Sequence, residues 1–154
     1  MFLKDNVNHT QKKGGRKMTV KAKEENLEAI TGFADAFLEE RNCPLRIQTQ
    51  IELCIEEIFV NIANYAYGDG EGDAEFDIEE SNGEVTLTFT DSGTPYNPLE
   101  KDDPDITLSA GERRIGGLGI FLVKKNMDRV GYKYENGKNI FSMTKIINQP
   151  GSEQ

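Results

Sequence analysis

The sequence predicts an α+β fold in which helices cover one face of a mainly antiparallel sheet. The predicted elements follow in the order β, α, α, β, β, loop, α, β, β, and two pairs of alternating segments are each joined by an Asn-Gly turn. With 154 residues the chain has the length of one domain, and it contains no internal repeat. We therefore expect a two-layer α/β sandwich with one core, formed by residues 18–148.

The first predicted elements are preceded by a polar, basic segment. Residues 1–17 have little apolar periodicity, and we interpret them as a flexible basic tail, an extended start of the chain or a cloning remnant. Residues 18–23 alternate weakly as a strand, and Asn26 can cap a helix whose apolar residues recur at helical spacing. A longer helix is predicted at about residues 46–67, before the glycine-rich residues 68–72.

Two hairpins are predicted in the second half of the chain. In each of them, two segments with alternating apolar residues flank an Asn-Gly pair, which favours a tight turn. The paired segments are residues 74–78 with 85–89, and residues 128–134 with 139–147.

A long connection separates the two hairpins. Residues 91–119 are rich in glycine and proline and exceed the roughly 12 to 15 residues beyond which an unstructured loop usually has a function. A short helix is predicted at residues 120–126, and residues 149–154 are expected to form a flexible C-terminal tail. The connection is therefore the segment in which we expect contacts with a ligand.

Charge and rare residue types exclude several classes of function. The chain has 18 Lys and Arg against 27 Asp and Glu, a net charge of -9, which disfavours direct binding of nucleic acid or of an anionic membrane. It has no apolar run long enough to cross a bilayer and no secretion signal near its start, so we expect a cytoplasmic protein. Its two cysteines and its single histidine, His9, cannot form a zinc cluster, a disulfide scaffold or a His-dependent catalytic triad.

The predicted long helix carries a polar cluster beside its apolar face. On a helical wheel, Glu57, Asn61 and Asn64 lie next to the isoleucine-rich arc and are expected to be half-buried. Glu52 and Glu56 project to another side, where we expect water. A half-buried carboxylate with two amides needs a polar partner, which a metal ion, a polarised nucleophile or a hydrogen-bond network between helices would provide.

An aspartate is predicted to point inward at the end of one hairpin strand. Asp91 continues the alternation of Val85, Leu87 and Phe89, and the Ser-Gly-Thr-Pro that follows it indicates a sharp turn. The carboxylate therefore needs hydrogen-bond donors, either from an Asx turn in its own loop or from the amino group of a ligand.

Glycines and arginines near the last predicted helix form a third candidate site. Gly116, Gly117 and Gly119 precede this helix, so backbone N–H groups at its N-terminus can converge on a phosphate, although glycine-rich turns are also common without a ligand. Arg113 and Arg114 follow a strongly acidic stretch. The pair is either the positive charge that a terminal phosphate needs or a solvated patch.

Three motifs resemble the N, G1 and G2 boxes of the GHKL, or Bergerat-fold, ATP-binding proteins: E-x-x-x-N at residues 57–61, D-S-G-T-P at residues 91–95 and G-G-L-G at residues 116–119. Their order and spacing agree with the family over about residues 18–147, and the chain is most similar to the stand-alone bacterial anti-sigma factor serine kinases. The resemblance implies an α/β sandwich that binds ATP and Mg²⁺ between the long helix and a mobile lid.

The resemblance also implies roles for individual residues. Asn61 would hold Mg²⁺, which bridges the phosphates of ATP, and Glu57 would act as the general base. Asp91 would accept a hydrogen bond from the adenine amino group, and Gly93 would let the ring approach. The remaining expected contacts of the nucleotide are Asn64, Arg113, Arg114, Gly117, Leu118 and Gly119.

Two departures from the family pattern affect this expectation. Tyr65 and Ala66 stand where the most similar kinases often have His and Gly, so contacts near the end of the helix are expected to differ. Relatives commonly have a Thr close to the phosphates near Asn139, and the corresponding contact in this chain is left open.

The function implied by the resemblance is that of an ATP- and Mg²⁺-dependent protein serine/threonine kinase. Such a kinase would bind a sigma factor as a homodimer and phosphorylate an anti-sigma-factor antagonist, with no direct contact to nucleic acid or membrane. Two alternatives stay open: a nucleotide-binding module that sequesters a partner without phosphoryl transfer, and a histidine-kinase-type ATPase domain acting in trans. The presence of Glu57 favours the kinase, and His9 in a polar segment is a poor phosphoacceptor.

Overall fold

A computed structural model of the chain describes residues 7–12, 14–100 and 117–148. Six strands form one antiparallel sheet in the order β1-β2-β3-β4-β6-β5. The strands are β1 (Val7–Lys12), β2 (Gly15–Lys21), β3 (Asp73–Ser81), β4 (Glu84–Asp91), β5 (Arg129–Glu135) and β6 (Lys138–Ile146). The helices are α1 (Leu27–Glu40), α2 (Leu45–Tyr65) and α3 (Gly117–Asn126). The α+β fold predicted from the sequence is confirmed.

Alternation of side chains gives the sheet one buried face. Along β4 every second residue is buried, ending with Phe89 and Asp91, and the buried residues of β6 include Phe141 and Met143. Helices α1 and α2 pack on this face and bury residues that recur at helical spacing. The buried residues of α2 are Gln48, Ile51, Cys54, Ile55, Ile58 and Phe59. These layers form one core, and the cleft described below lies at its edge.

Both hairpins turn at the predicted Asn-Gly pairs. Asn82 and Gly83 have φ values of 53° and 84°, and Asn136 and Gly137 have 54° and 78°. Positive φ at both central residues is the geometry of the tight hairpin turn for which Asn-Gly is selected. The predicted pairing of the four strand segments is thereby confirmed.

The N-terminal segment differs from one of its interpretations. Residues 7–12 form β1, which pairs with β2 from Val7 opposite Val20 to Lys12 opposite Gly15. A flexible tail over residues 1–17 is therefore wrong for this part of the chain. The pattern gave no signal because an edge strand can be held by main-chain hydrogen bonds alone and needs no apolar alternation.

Two helix starts also differ from the sequence prediction. The Asn26 side chain does not cap α1, because its amide donates to the carbonyl of Lys21 at 2.9 Å. Helix α3 begins at Gly117 rather than near residue 120, so the glycine pair Gly117 and Gly119 lies in its first turn and not before it.

No helix in the described part of the chain is both long and apolar enough to cross a membrane.

Candidate functional site

A cavity of about 400 Å³ opens between the C-terminal half of α2 and the ends of β4 and β6. This volume lies in the range of small-molecule binding sites. The polar residues of its lining include Asn61, Asp91 and Asn139. Its apolar walls include Ile58, Ile62, Phe89, Ile120 and Phe141. Apolar walls with a few convergent polar groups suit a flat, partly apolar ligand that carries hydrogen-bonding edges.

Asp91 lines this cavity where β4 ends and is only 6% exposed. Its Oδ1 accepts hydrogen bonds from the backbone N–H of Gly93 at 2.9 Å and from Nδ2 of Asn139 at 3.0 Å. Among the described residues, Oδ2 has no hydrogen-bond partner. The Asx turn and a ligand contact, which the sequence left as alternatives, are thus compatible because they use different oxygens.

The loop after Asp91 is anchored to the end of α2. The N–H of Thr94 donates to the carbonyl of Ala66 at 2.8 Å, and that of Ser92 donates to the hydroxyl of Tyr67 at 2.8 Å. A Cβ added to Gly93 would come within 2.2 Å of the same Ala66 carbonyl oxygen. The approach of α2 therefore requires glycine here, and the ring contact that the resemblance implies for Gly93 stays a prediction.

Glu57 and Asn61 lie on successive turns of α2, and both are half-buried. Asn61 lines the cavity, whereas Glu57 lies beside it, against the first turn of α3. A Cβ added to Gly119 would come within 2.0 Å of Oε1 of Glu57, so only glycine leaves room for this carboxylate. Burial raises the pKa of the Glu57 carboxyl, and the charge of Glu56 raises it further. A carboxylate with raised proton affinity beside a cleft is suited to accept a proton.

The other polar residues of α2 correct the helical-wheel analysis. Asn64 is exposed and does not line the cavity, so its expected half-burial beside Glu57 is wrong. Glu52, expected in water, is half-buried and shares a hydrogen bond with Asp35 of α1. A single-helix wheel cannot reveal that α1 covers the Glu52 side of α2 while α3 covers the Glu57 side. Glu56 is exposed, as expected.

The structure describes only some of the residues that were predicted to contact the phosphates. Gly117 and Gly119 lie at the N-terminus of α3, whose first N–H groups lack partners within the helix. This geometry can bind an anion. Leu118 belongs to the same turn. Arg113 and Arg114 lie outside the described residues, so their role stays a prediction.

Asn139 is a site residue that the sequence analysis did not assign. It is 7% exposed, is the second residue of β6, lies directly opposite Asp91, and forms hydrogen bonds to Asp91 and to the loop that follows it. It therefore lies at the Asp91 end of the cavity. The inward phase that Asn139 shares with Phe141 and Met143 is the signal that could have found it.

The chain folds into an α/β sandwich with a cleft at the edge of its core, and comparison with known proteins identifies its family. Residues 20–145 match the histidine kinase-like ATPase domain, and the chain belongs to this family. The resemblance to the GHKL proteins is thereby confirmed, and an ATPase family implies that the ligand is ATP.

Several curated proteins resemble the chain over most of its length. It is 27% identical over 100 residues to the serine/threonine-protein kinase BtrW of Bordetella bronchiseptica, covering 64% of this chain and 70% of that protein. It is 32% identical over 111 residues to the serine-protein kinase RsbW of Listeria monocytogenes and 34% identical over 112 residues to RsbW of Listeria innocua. Both of these matches cover 68% of this chain and 69% of the relative.

Proposed function

We propose that this protein is an ATP- and Mg²⁺-dependent protein serine/threonine kinase that binds a sigma factor and phosphorylates an anti-sigma-factor antagonist. The names of its relatives support protein kinase activity, and the resemblance noted in the sequence supports these partners and a cytoplasmic homodimer. The observation that carries the proposal is the half-buried carboxylate of Glu57, which lies at the N-terminus of α3 one helical turn before the cavity-lining Asn61.

The Asp91 end of the cavity supports a purine with an amino group at its edge. Oδ2 of Asp91 is an acceptor, and a carboxylate at this position cannot donate a hydrogen bond to a carbonyl oxygen. Phe89 and Phe141 are among the apolar walls that would enclose the ring. Adenine meets these requirements better than guanine does.

The Asn61 end of the cavity fits a metal ion that arrives with the nucleotide. Within the described ranges, no three His, Cys, Asp or Glu side chains converge on a common metal site. Mg²⁺ commonly takes only one or two protein ligands and fills its other positions with water and phosphate oxygens, so the single amide oxygen of Asn61 suits it. When bound, the ion would neutralise charge on the phosphates.

The role of the protein in phosphoryl transfer is then mainly to position and to accept a proton. Glu57 would take the proton from the incoming serine hydroxyl, for which its raised pKa suits it. The N–H groups of the first turn of α3 would face the phosphates and stabilise their negative charge.

The test is phosphate transfer from labelled ATP, with Mg²⁺, to the proteins encoded beside the gene of this chain. We expect one small partner to be labelled, with an acid-stable phosphoester on Ser or Thr. An acid-labile phosphohistidine would favour the histidine-kinase-type alternative. ATP binding without transfer to any of these partners would favour the sequestering module.

A further inference from the structure

The hydrogen-bonding capacity of Asn139 is filled by the protein. A side-chain amide has two N–H donors and one oxygen with two lone pairs. Nδ2 lies 3.0 Å from Oδ1 of Asp91, 3.0 Å from the carbonyl of Thr94 and 3.4 Å from that of Gly93. Oδ1 accepts from the N–H of Tyr96 at 3.0 Å and from the hydroxyl of Tyr132. Asn139 therefore has no hydrogen-bonding group left for a ligand, although it reaches the cavity wall.

The surroundings also determine which way the amide points. The backbone N–H of Tyr96 can only donate, so the oxygen of Asn139 must face it. On the opposite side, the carbonyl of Thr94 can only accept, so Nδ2 must face Thr94 and Asp91. Reversing the amide would place oxygen against oxygen and N–H against N–H.

This orientation fixes the carboxylate of Asp91. Its Oδ1 is held from two directions, by the N–H of Gly93 and by Nδ2 of Asn139, and rotation of the carboxylate would disturb both bonds. Oδ2 is left as the one acceptor of Asp91 without a partner among the described residues. Through Thr94 and Tyr96, Asn139 also ties the loop that forms part of the cavity wall to β6.

We propose that Asn139 is a positioning residue that sets the base selectivity of the cavity. By occupying Oδ1, it presents Oδ2 of Asp91 at a fixed position, where it accepts from an amino-bearing purine edge and repels a carbonyl-bearing one. This inference rests on the proposed binding of ATP. A threonine, which has one hydroxyl donor, could not serve both Asp91 and Thr94.

The main test is Asn139→Asp, compared with wild type in binding of ATP and GTP. This variant keeps an oxygen for the donors of Tyr96 and Tyr132 and replaces only the NH₂ group with a carboxylate oxygen, which repels Asp91. We expect ATP affinity to fall by roughly tenfold to a hundredfold and the ATP-to-GTP affinity ratio to approach one. Asn139→Thr keeps one donor and should give an intermediate ratio, which covers the case that Asn139→Asp does not fold.

The matched control is Thr144→Val on the same strand. Thr144 is also buried, and its hydroxyl lies 3.0 Å from that of Thr86 across the same two strands, on the opposite face of the sheet. We expect this variant to lose stability but to keep the ATP-to-GTP ratio. A ratio that is unchanged in both Asn139 variants, or reduced equally in Thr144→Val, would overturn the inference. A wild-type protein that binds neither nucleotide would instead contradict the proposed function.

Discussion

The two ends of the cleft are built in different ways. At the Asp91 end, two neighbouring strands and one loop meet, and hydrogen bonds of 3.0 Å join Asp91, Asn139 and the loop backbone. The other end contains Asn61 and, beside the cavity, Glu57, and we call it the Glu57 end. There the side of α2 meets the N-terminus of α3, and Glu57 has no hydrogen-bond partner among the described residues. The polar groups at the Asp91 end are preorganised by hydrogen bonds within the protein, whereas the carboxylate of Glu57 can still accept hydrogen bonds.

This difference matches two kinds of task. Recognition of a base benefits from groups that are held in advance, because no ordering is then required on binding. A proton acceptor needs free capacity and a suitable pKa, which a saturated carboxylate lacks. Changes at the Asp91 end should therefore act on which nucleotide binds, and changes at the Glu57 end on how fast phosphate is transferred.

The largest expected effect is a loss of phosphate transfer, without a loss of ATP affinity, when Glu57 is replaced. If Glu57 accepts the serine proton, Glu57→Ala should slow phosphate transfer by roughly 10² to 10⁴-fold and change ATP affinity little. Glu56→Ala is the control, since Glu56 is exposed on the adjacent position of the helix and its removal takes away only the smaller of the two causes that raise the pKa of Glu57. Phosphate incorporation and nucleotide affinity are measured for both variants. Equal losses of activity in the two would contradict the assignment of the base.

The position of the Glu57 carboxylate can be disturbed without removing it. Gly119→Ala places a methyl group where Oε1 of Glu57 now lies, so the side chain must turn away, and transfer should fall by up to about 10²-fold. The fold should tolerate the change, because the displaced atom is the end of a flexible side chain and alanine favours a helix.

Gly32→Ala is the matched control, because a Cβ at this position in helix α1 would meet nothing within 4 Å. Thermal unfolding of both variants, together with transfer rates, distinguishes displacement of Glu57 from loss of structure. If Gly119→Ala transfers phosphate as fast as Gly32→Ala, the contact between Gly119 and Glu57 has no role in catalysis.

At the Asp91 end, selectivity should change more than turnover does. Asp91→Asn replaces one carboxylate oxygen with an amide donor, so ATP affinity should fall by roughly tenfold to a hundredfold and the preference over GTP should shrink. Calorimetry with both nucleotides measures this change. Wild-type protein that binds GTP as tightly as ATP would contradict the assignment of Asp91.

The smallest expected effect lies outside the cleft, between α1 and α2. Burial raises the pKa of Asp35 to about 7, and the hydrogen bond with Glu52 and its charge contribute. Because the folded state then binds the proton more tightly than the unfolded state, stability should fall as the pH rises from about 4 to about 7. Asp35 is partly exposed, so we expect a change of roughly 1 kcal/mol or less.

Asp35→Asn should remove this pH dependence, because its amide can donate to Glu52 without titrating. Urea unfolding at a series of pH values measures the effect, and nucleotide selectivity should stay that of wild type. A pH profile identical to that of wild type would show that Asp35 does not titrate in this range.

The sequence predicts correctly those features that depend on a single strand or turn. The inward position of Asp91 follows from the alternation along β4, and the hairpins follow from Asn-Gly pairs that accept positive φ. The predictions were wrong where the burial of a side chain depends on a second element that packs against it. Glu52 is half-buried against Asp35 of α1, whereas Asn64 is exposed. The role of Asn139 depends on the register of β6 against β4, which pairs it with Asp91 and which periodicity along one strand cannot supply.

The hydrogen bond between Thr94 and Ala66 fixes the loop after Asp91 to the helix that carries Glu57. Helix α2 carries Glu57 and ends next to Ala66, whose carbonyl holds the loop after Asp91. A single helical segment therefore separates Glu57 from this loop. Ala66 is nine positions after Glu57, which at about 1.5 Å per residue is roughly 14 Å. A single inserted residue would lengthen this spacing by about 1.5 Å and rotate Glu57 by about 100° away from α3. Under the proposed function, this spacing would set the length of nucleotide that reaches from Asp91 to Glu57.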